Sequence, residues 1–369
     1  MKRRTRETVV VLAAVTTAYR PGCVIKAVLD RQDIELVFLS TQSFSSLPDI
    51  MARIARIFSG IVQVVCSDTL FVMNHWGFLP RCLIAIAKVL GKRVIADYYI
   101  SSYETAVVDR KVVRPESREA RKLKQGDSFA IKYSSPVIFL NESERDYYLE
   151  VAEVDRSCVK TEVIPLVCPA RPQAMLPFIN GKVDGPTFVW WGGHGNPIHG
   201  FERIAAATRI FLDKMPNARF GFFGTNNPFY ETVRQKYKDI AENPNVIFSN
   251  EFNFQNGRLT EYLLNSADYA FGIFGGTRKA KTVLANKIVD AASFGIPCLT
   301  QESAGTREYF TSGTDLFYCD ADPMEIAQMM SMLVKEPSLG KAIGHQARKL
   351  FEREFSPEQF EPKVATLFD

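Results

Sequence analysis

Four cationic side chains are crowded into ten positions in the second half of this sequence: Arg278, Lys279, Lys281 and Lys287. They lie in the stretch GIFGGTRKAKTVLANKIVDAASFGIPCLT, residues 272–300. The pattern predicts a buried strand, a tight glycine turn and a helix that ends at Gly295. The cations therefore surround a predicted helix N-terminus.

Lys287 falls in the first turn of that helix, where the positive end of the helix dipole disfavours a cation by a few tenths of a kcal/mol. A bound anion would remove this conflict, because the backbone N–H groups and the nearby cations can both donate to it. The stretch therefore predicts a site for a phosphate or diphosphate group. A solvated basic loop is the alternative, and the strand-turn-helix context makes it the less favoured one.

Two further interpretations concern the same stretch. Asp290 follows Lys287 by three positions, so it either accepts hydrogen bonds from ribose hydroxyls or pairs with Lys287. The segment GGTRKAKT, residues 275–282, is one residue away from a Walker A motif, with Ala280 where a glycine belongs. A nucleotide triphosphatase is disfavoured, since no later hydrophobic run ends in a magnesium-binding aspartate.

A second glycine-rich turn follows the predicted strand FVWW in FVWWGGHGNPIHGFERIAAA, residues 188–207. Its spacing is not that of a dinucleotide-binding fingerprint, but it places Gly193, His194 and His199 at the start of a helix. The two histidines lack nearby carboxylate or cysteine partners, so a metal site is disfavoured. We predict that they donate to a phosphate, with a packed His199 as the alternative.

A third segment, residues 93–111, follows a strand with carboxylates and aromatic residues: Asp97, Tyr98, Tyr99, Glu104 and Asp109, the last followed by Arg110. Aromatic faces beside carboxylates suit a sugar, and an ordinary β–α loop is the alternative. The basic run at residues 110–124 predicts a solvated helix or one that rests on an anionic membrane surface.

Strand and helix patterns alternate along the whole chain, which predicts helix-covered parallel sheets. Strands are predicted at residues 9–14, 35–40, 61–65, 93–97, 136–140, 161–166, 187–191, 219–224, 245–249, 268–274 and 296–300, and helices at 78–90 and 116–133. Four prolines and two glycines at residues 168–186 predict a break between two such halves. Ligands of paired domains of this kind bind between them, at the carboxyl ends of the sheets.

Composition sets limits on the class of protein. The chain has 369 residues, 46% of them hydrophobic, and a net charge of +4, which argues against a nucleic-acid partner. Its seven cysteines form no CxxC pair, which indicates buried thiols in a reducing compartment. The apolar run after the basic start is predicted to be a first strand rather than a signal peptide, and no apolar stretch reaches the length of a membrane span.

These motifs resemble those of bacterial glycosyltransferases of family 4. GIFGGTRKAKTVLANKIVDAASFGIP is similar to the family's donor segment, GGHGNPIHGF to its phosphate loop, and ADYYISSYETAVVDRK to an acceptor-side segment. The resemblance implies an α/β GT-B fold, in which two facing Rossmann-like, doubly wound parallel-sheet domains border a cleft. It implies an acceptor domain at 1–170, a linker at 171–186, a donor domain at 187–350, and a C-terminal helix at 351–369 that packs toward the first domain.

The resemblance also implies an activity: retaining, metal-independent transfer of a sugar from a nucleotide diphosphate to a glycan or lipid-linked acceptor during cell-surface polysaccharide synthesis. No cofactor is implied, and the location would be cytoplasmic with peripheral membrane contact. The implied catalytic residues are Asp97, Lys287 and Arg278. The implied donor-binding residues are Gly193, His194, His199, Gly275, Gly276, Thr277, Lys279, Lys281, Thr282, Asn286 and Asp290. The implied acceptor-side residues are Gly22, His75, Tyr99, Glu104, Asp109 and Arg110.

Three departures from the family pattern keep a second interpretation open. His194 and His199 stand where the family has a cationic pair, Thr282 stands where it has a glutamate, and the first loop offers only Gly22. A non-catalytic relative that binds a sugar nucleotide or a glycan would also fit these residues. A periplasmic two-lobed binding protein is a third class, and it requires the N-terminus to be a signal peptide.

Overall fold

The structure is a computed structural model and describes residues 6–13, 19–40, 50–73, 77–192, 196–224 and 228–369. These residues form two compact units, Met1–Val167 with Pro357–Asp369, and Cys168–Ser356. No helix among the described residues is long and apolar enough to cross a bilayer.

The elements alternate along the chain in the predicted manner. Those of the first unit are β1 (Glu7–Ala13), α1 (Tyr19–Leu29), β2 (Ile34–Ser40), α2 (Ile50–Cys66), β3 (Thr69–Val72), α3 (Phe78–Val89), β4 (Arg93–Asp97), a π-helix (Glu104–Asp109), α4 (Arg118–Lys132), β5 (Val137–Phe139), α5 (Glu142–Val151) and β6 (Thr161–Val163). Those of the second are β7 (Thr187–Gly192), α6 (Phe201–Lys214), β8 (Arg219–Gly224), α7 (Pro228–Lys236), α8 (Lys238–Ala241), β9 (Val246–Ser249), α9 (Arg258–Asn265), β10 (Tyr269–Phe271), α10 (Asn286–Phe294), β11 (Cys298–Thr300), α11 (Ala304–Arg307), β12 (Phe317–Tyr318), α12 (Pro323–Lys335) and α13 (Pro337–Glu354). The chain ends in α14 (Pro357–Ala365), which belongs to the first unit.

The first unit is built on a six-stranded parallel sheet in the order β2-β1-β3-β4-β5-β6. Strand β1 lies between β2 and β3, and its residues Val9 to Ala13 are fully buried. Apolar clusters cover both faces of the sheet, as expected for parallel strands packed between helices. Helix α14 packs against α1, where Glu361 accepts hydrogen bonds from Lys26 Nζ.

The second unit contains another six-stranded parallel sheet, in the order β12-β11-β10-β7-β8-β9. Its core is rich in aromatic rings, and Phe188 stacks against Phe220, Tyr269 and Phe271. This is the strand order of nucleotide-binding Rossmann folds. The predicted α/β class with two doubly wound parallel sheets is confirmed.

Two predicted segments differ from the structure. Residues 61–65, predicted to be a strand, lie within helix α2, and the neighbouring strand is β3. Their β-branched side chains suit a strand, but they continue a 17-residue amphipathic helix whose length decides the conformation.

The second difference concerns the predicted linker at 171–186, which lies inside the second unit. The N–H of Ala174 donates to Phe294 O at 2.8 Å, and that of Met175 donates to Leu264 O at 2.7 Å. The Asp268 carboxylate accepts from the N–H groups of Phe178 and Thr187. These contacts fix the segment to the second sheet, so its prolines and glycines shape a packed connection.

Candidate functional site

The donor motifs meet where the order of the second sheet reverses. Strands β7 and β10 are neighbours, but the chain leaves them toward opposite edges of the sheet. Ligands of open α/β sheets bind outside the carboxyl ends of the strands at such a switch point. The segment after β7 carries His199, and the segment after β10 carries residues 272–285, so the fold brings the two predicted donor motifs together.

Backbone contacts hold these two segments against each other. Phe274 N donates to His199 O at 3.1 Å, and Arg203 Nη1 donates to Phe274 O at 3.1 Å. Ile198 and Ile273 pack together with Ala280, Val283 and Ala285 beneath the contact. The segments are therefore rigidly joined, although they lie more than 70 positions apart in the sequence.

The close approach requires glycine on both sides. Gly200 has a left-handed φ of +58°, and a Cβ there would lie 2.1 Å from Phe274 O. A Cβ on Gly275 would lie 2.4 Å from Ile198 O. Gly275 therefore has a packing role. Gly276 is exposed, and a Cβ there would approach only the end of the Arg203 side chain, at 3.2 Å.

Lys287 occupies the first turn of α10, as predicted. The helix begins after Ala285, which provides no side-chain cap for its N–H groups, and it ends at Gly295 with φ +68°. The Lys287 side chain is buried at 5% exposure, and its Nζ lies 4.3 Å from the centre of the Trp190 ring. Nζ has no hydrogen-bond partner among the described residues. A buried amine thus lies at a helix N-terminus.

Burial determines the electrostatic state of this amine. Desolvation lowers the pKa of Lys287 well below its usual range, and the nearby Cys298 and Asp290 oppose the shift. Asp290 is also buried, at 3% exposure, one turn further along α10. An anion placed against the helix N-terminus would favour the charged form of Lys287.

Trp190 links Lys287 to His199. The His199 ring meets the Trp190 ring edge to face, with ring centres 5.8 Å apart. A Cβ on Gly192 would lie 2.9 Å from the Trp190 ring and 3.6 Å from His199 Nε2. The Trp190 ring is thus in contact with both polar side chains. Sequence reasoning missed this role because it treated Trp190 only as part of a strand.

The remaining cations of the opening stretch differ in exposure. Lys279 is buried at 8% exposure within the turn Lys279–Lys281, whereas Arg278 and Lys281 are exposed. Thr277 Oγ1 accepts from Ala280 N at 3.2 Å, and Thr282 Oγ1 donates to Arg278 O at 2.9 Å. Both threonine hydroxyls thus stabilise the turn that presents the cations.

The remaining predicted donor residues are Asn286, Gly193 and His194. Asn286 is the exposed first residue of α10, next to Lys287. Gly193 and His194 lie outside the described residues. Among the described residues, no group of three or more His, Cys, Asp or Glu side chains could hold a metal ion.

In the first unit, Asp97 forms a buried ion pair that sequence reasoning missed. Arg20 Nε donates to Asp97 Oδ2 at 2.6 Å, Arg20 Nη1 donates to Pro165 O at 2.6 Å, and the guanidinium lies 4.9 Å from the Phe360 ring centre. Burial raises the pKa of Asp97, and the charge of Arg20 opposes this. Arg20 and Asp97 lie 77 positions apart, and no local pattern connects them.

The structure assigns Glu104 and Asp109 to the interior of the first unit rather than to an open loop. They begin and end the π-helix and are exposed by 0% and 2%. Tyr147 Oη donates to Glu104 Oε1 at 3.4 Å, and Asp127 accepts from Ser101 Oγ at 2.6 Å in the turn just before. Both carboxylates are therefore as deeply buried as Asp97, and their role on the acceptor side stays a prediction.

The other predicted acceptor-side residues are Tyr99, Gly22, Arg110 and His75. Tyr99 is partly buried beside Asp97, and burial raises the pKa of its hydroxyl. Gly22 lies inside α1 rather than in a phosphate-binding loop. The preceding Pro21 does not prevent this, since proline is tolerated in the first turn of a helix. Arg110 is exposed at the end of the π-helix, and His75 lies outside the described residues.

Comparison with known proteins places this fold. Residues 203–360, less than half of the chain, match the model of a family described as glycosyl transferase-like. No curated protein matches the chain significantly. The solved structure of Anabaena HepE in complex with UDP-glucose is similar to this chain, with a TM-score of 0.70 and 11% sequence identity. The match covers 98% of this chain and 99% of the HepE chain.

Two further structures agree. Sucrose-phosphate synthase from Thermosynechococcus elongatus has a TM-score of 0.72 at 12% identity over 98% of both chains. A glycosyltransferase from Rickettsia africae has a TM-score of 0.62 at 12% identity over 98% of both chains. The chain therefore has the two-domain GT-B fold. The resemblance to glycosyltransferases of this fold is confirmed, and the assignment to family 4 stays a prediction.

Proposed function

We propose that this protein transfers a sugar from a nucleotide diphosphate to a hydroxyl group of an acceptor. The observation that carries the proposal is the buried amine of Lys287 at the uncapped N-terminus of α10, at the switch point of the second sheet. Such a terminus offers N–H donors to a phosphate, and Lys287 adds a charge that the anion itself stabilises. HepE, which shares the fold, was solved with UDP-glucose, and UDP-glucose is therefore the first donor to test.

In the proposed reaction, the bond between the anomeric carbon and the diphosphate oxygen breaks and the acceptor oxygen forms a new bond to that carbon. The acceptor's proton passes to an oxygen of the leaving diphosphate. Lys287, Arg278 and the helix N-terminus stabilise the negative charge that develops there, so we propose a reaction without metal. Asp290 holds the ribose, and the anomeric configuration is retained.

We propose Asp97 as a catalytic residue of the first unit. Its Oδ2 is held by Arg20, while Oδ1 has no hydrogen-bond partner in the described part of the chain. The acceptor is a glycan or a lipid-linked glycan of the cell surface.

Peripheral contact with the inner face of the cytoplasmic membrane is part of this proposal. Ile54, Phe58 and Val62 follow one another at four-residue spacing along α2 and are 54%, 67% and 44% exposed. An exposed apolar helix face of this kind can lie at a lipid interface. Sedimentation with anionic vesicles measures the contact, which Phe58→Ser should weaken; vesicle binding that Phe58→Ser leaves unchanged would contradict it.

Proton NMR of the purified protein with UDP-glucose, and then with other nucleotide sugars, tests the activity. We expect slow release of UDP without acceptor, with the anomeric configuration of the donor retained in the first product. Lys287→Met serves as the control for contaminating hydrolases and should lose this turnover. UDP binding without any turnover would support the non-catalytic relative that Thr282 suggests, and absence of both would refute the proposal.

A further inference from the structure

An open pocket of about 430 Å³ lies on the surface of the first unit, between α4 and the end of α5. We call it the α4 pocket, because most of its lining comes from one face of α4. The lining residues are Arg121, Lys124, Gln125, Ser128, Phe129, Lys132, Tyr133, Ala152 and Glu153. The α4 members recur at intervals of three and four, which places them on one side of the helix.

The charges of the α4 pocket are unbalanced. Arg121 and Lys132 form no ion pair with any described residue, while Lys124 Nζ pairs with Glu153 Oε1 at 2.5 Å. The three cations thus face a single carboxylate. Arg121 and Lys132 are separated by eleven positions, which is about 16 Å along a helix, so the unpaired charges lie near the two ends of the pocket.

The floor between these charges suits a carbohydrate. The rings of Phe129 and Tyr133 pack with centres 4.5 Å apart, and Tyr133 is 46% exposed. An exposed ring can stack on the apolar face of a sugar, and the side chains of Gln125 and Ser128 can hydrogen-bond to its hydroxyls. A small inorganic anion would contact the cation at one end of the pocket and would not contact the aromatic rings between the two ends.

Glu153 occupies a backbone position that favours glycine. Its φ is +56°, and it follows Ala152 at the end of α5. Glu153 N donates to Glu150 O and Val154 N to Leu149 O, both at 3.0 Å, which is the usual glycine-ended helix terminus. Glu153 thus adopts a left-handed backbone conformation that is unfavourable for glutamate, and its carboxylate forms an ion pair with Lys124.

We propose that the α4 pocket binds an extended anionic oligosaccharide, whose acidic groups contact Arg121 and Lys132 and displace Glu153 from Lys124. This binding is separate from the proposed donor site and does not depend on transferase activity. The length between the cations favours an extended chain over a single phosphate, and the exposed ring and amide favour sugar units over a lipid surface.

The experiment is calorimetric titration of the full-length protein with a hexamer of galacturonate, in low salt. We expect binding at least tenfold tighter than that of neutral maltohexaose or of inorganic phosphate. The double variant Arg121→Ala/Lys132→Ala should lose at least tenfold, whereas Lys92→Ala, which removes a cation of the same unit outside the pocket, should change affinity by less than twofold.

Glu153→Gly is the second variant. It keeps the helix terminus, because glycine favours that backbone, and it frees Lys124, so the affinity for the hexamer should rise about threefold. Equal binding of hexagalacturonate and maltohexaose, or an unchanged affinity in the double variant, would overturn the proposal. The proposal would also be overturned if the double variant lost binding to anionic vesicles but kept its affinity for the hexamer.

Discussion

Replacing Lys287 by methionine should weaken UDP binding and stabilise the ligand-free protein at the same time. The amine is buried against Trp190, with no hydrogen-bond partner in the described residues. Methionine keeps the length and the packing of the side chain but removes its polar end. The two effects have opposite signs because the amine is unfavourable in the empty site and favourable beside a diphosphate.

The binding loss follows from the interaction that disappears. A hydrogen bond to a charged group contributes about 1.5–3 kcal/mol, which is a tenfold to roughly 150-fold change in Kd. We therefore expect UDP to bind Lys287→Met at least tenfold more weakly than the wild type.

The stability gain follows from linkage. The folded protein lowers the pKa of Lys287, so the unfolded chain binds more protons between that pKa and the usual lysine value. Wild-type stability therefore rises with pH across this window, and the variant should lack the rise. A buried polar group without a partner costs about 1–3 kcal/mol, and 1 kcal/mol corresponds to about 2–4 °C in Tm.

Titration calorimetry with UDP and thermal unfolding without it measure both effects at pH 7. Lys214→Met, an exposed lysine in the same unit, is the matched control and should change Kd by less than twofold and Tm by less than about 1 °C. Unchanged UDP affinity in Lys287→Met would refute the assignment of the diphosphate to α10. A lower Tm of Lys287→Met than of the wild type would refute the claim that the buried amine is unfavourable in the empty site.

Three further predictions concern the same features. Because a diphosphate raises the pKa of Lys287, UDP binding should take up protons and weaken as pH rises; calorimetry in buffers of different ionisation enthalpy measures this, and identical heats would contradict it. Gly200→Ala should destabilise the protein by about 2–4 kcal/mol, since its Cβ would overlap Phe274 O in a left-handed backbone; full stability in urea would contradict it. Asp97→Asn leaves the buried Arg20 charge without its partner and should cost about 3 kcal/mol in urea unfolding, and a loss below about 1 kcal/mol would contradict the buried pair.

Local patterns predicted the surroundings of Lys287 well. The glycine turn, the helix that starts before Lys287 and its end at Gly295 all follow from short-range rules of helix termini. The sequence also predicted a cation at an unfavourable helix position, and the structure shows that its amine is buried. Which ring covers it, Trp190, depends on a strand almost a hundred positions earlier.

Long-range packing explains what sequence reasoning missed. The pair of Arg20 and Asp97 forms only because β1 and β4 lie in the same sheet. Glu104 and Asp109 follow a strand as site carboxylates do, yet a π-helix turns them inward. The α2 segment at 61–65 has the composition of a strand, and only its continuation of a longer helix decides the outcome.

The central claim is that the N-terminus of α10 and Lys287 bind the diphosphate of a nucleotide. A crystal structure of the protein with UDP tests it most directly. The account predicts a phosphate oxygen within hydrogen-bond distance of Lys287 Nζ and of the first N–H groups of α10. UDP bound with its phosphates remote from that helix would contradict it.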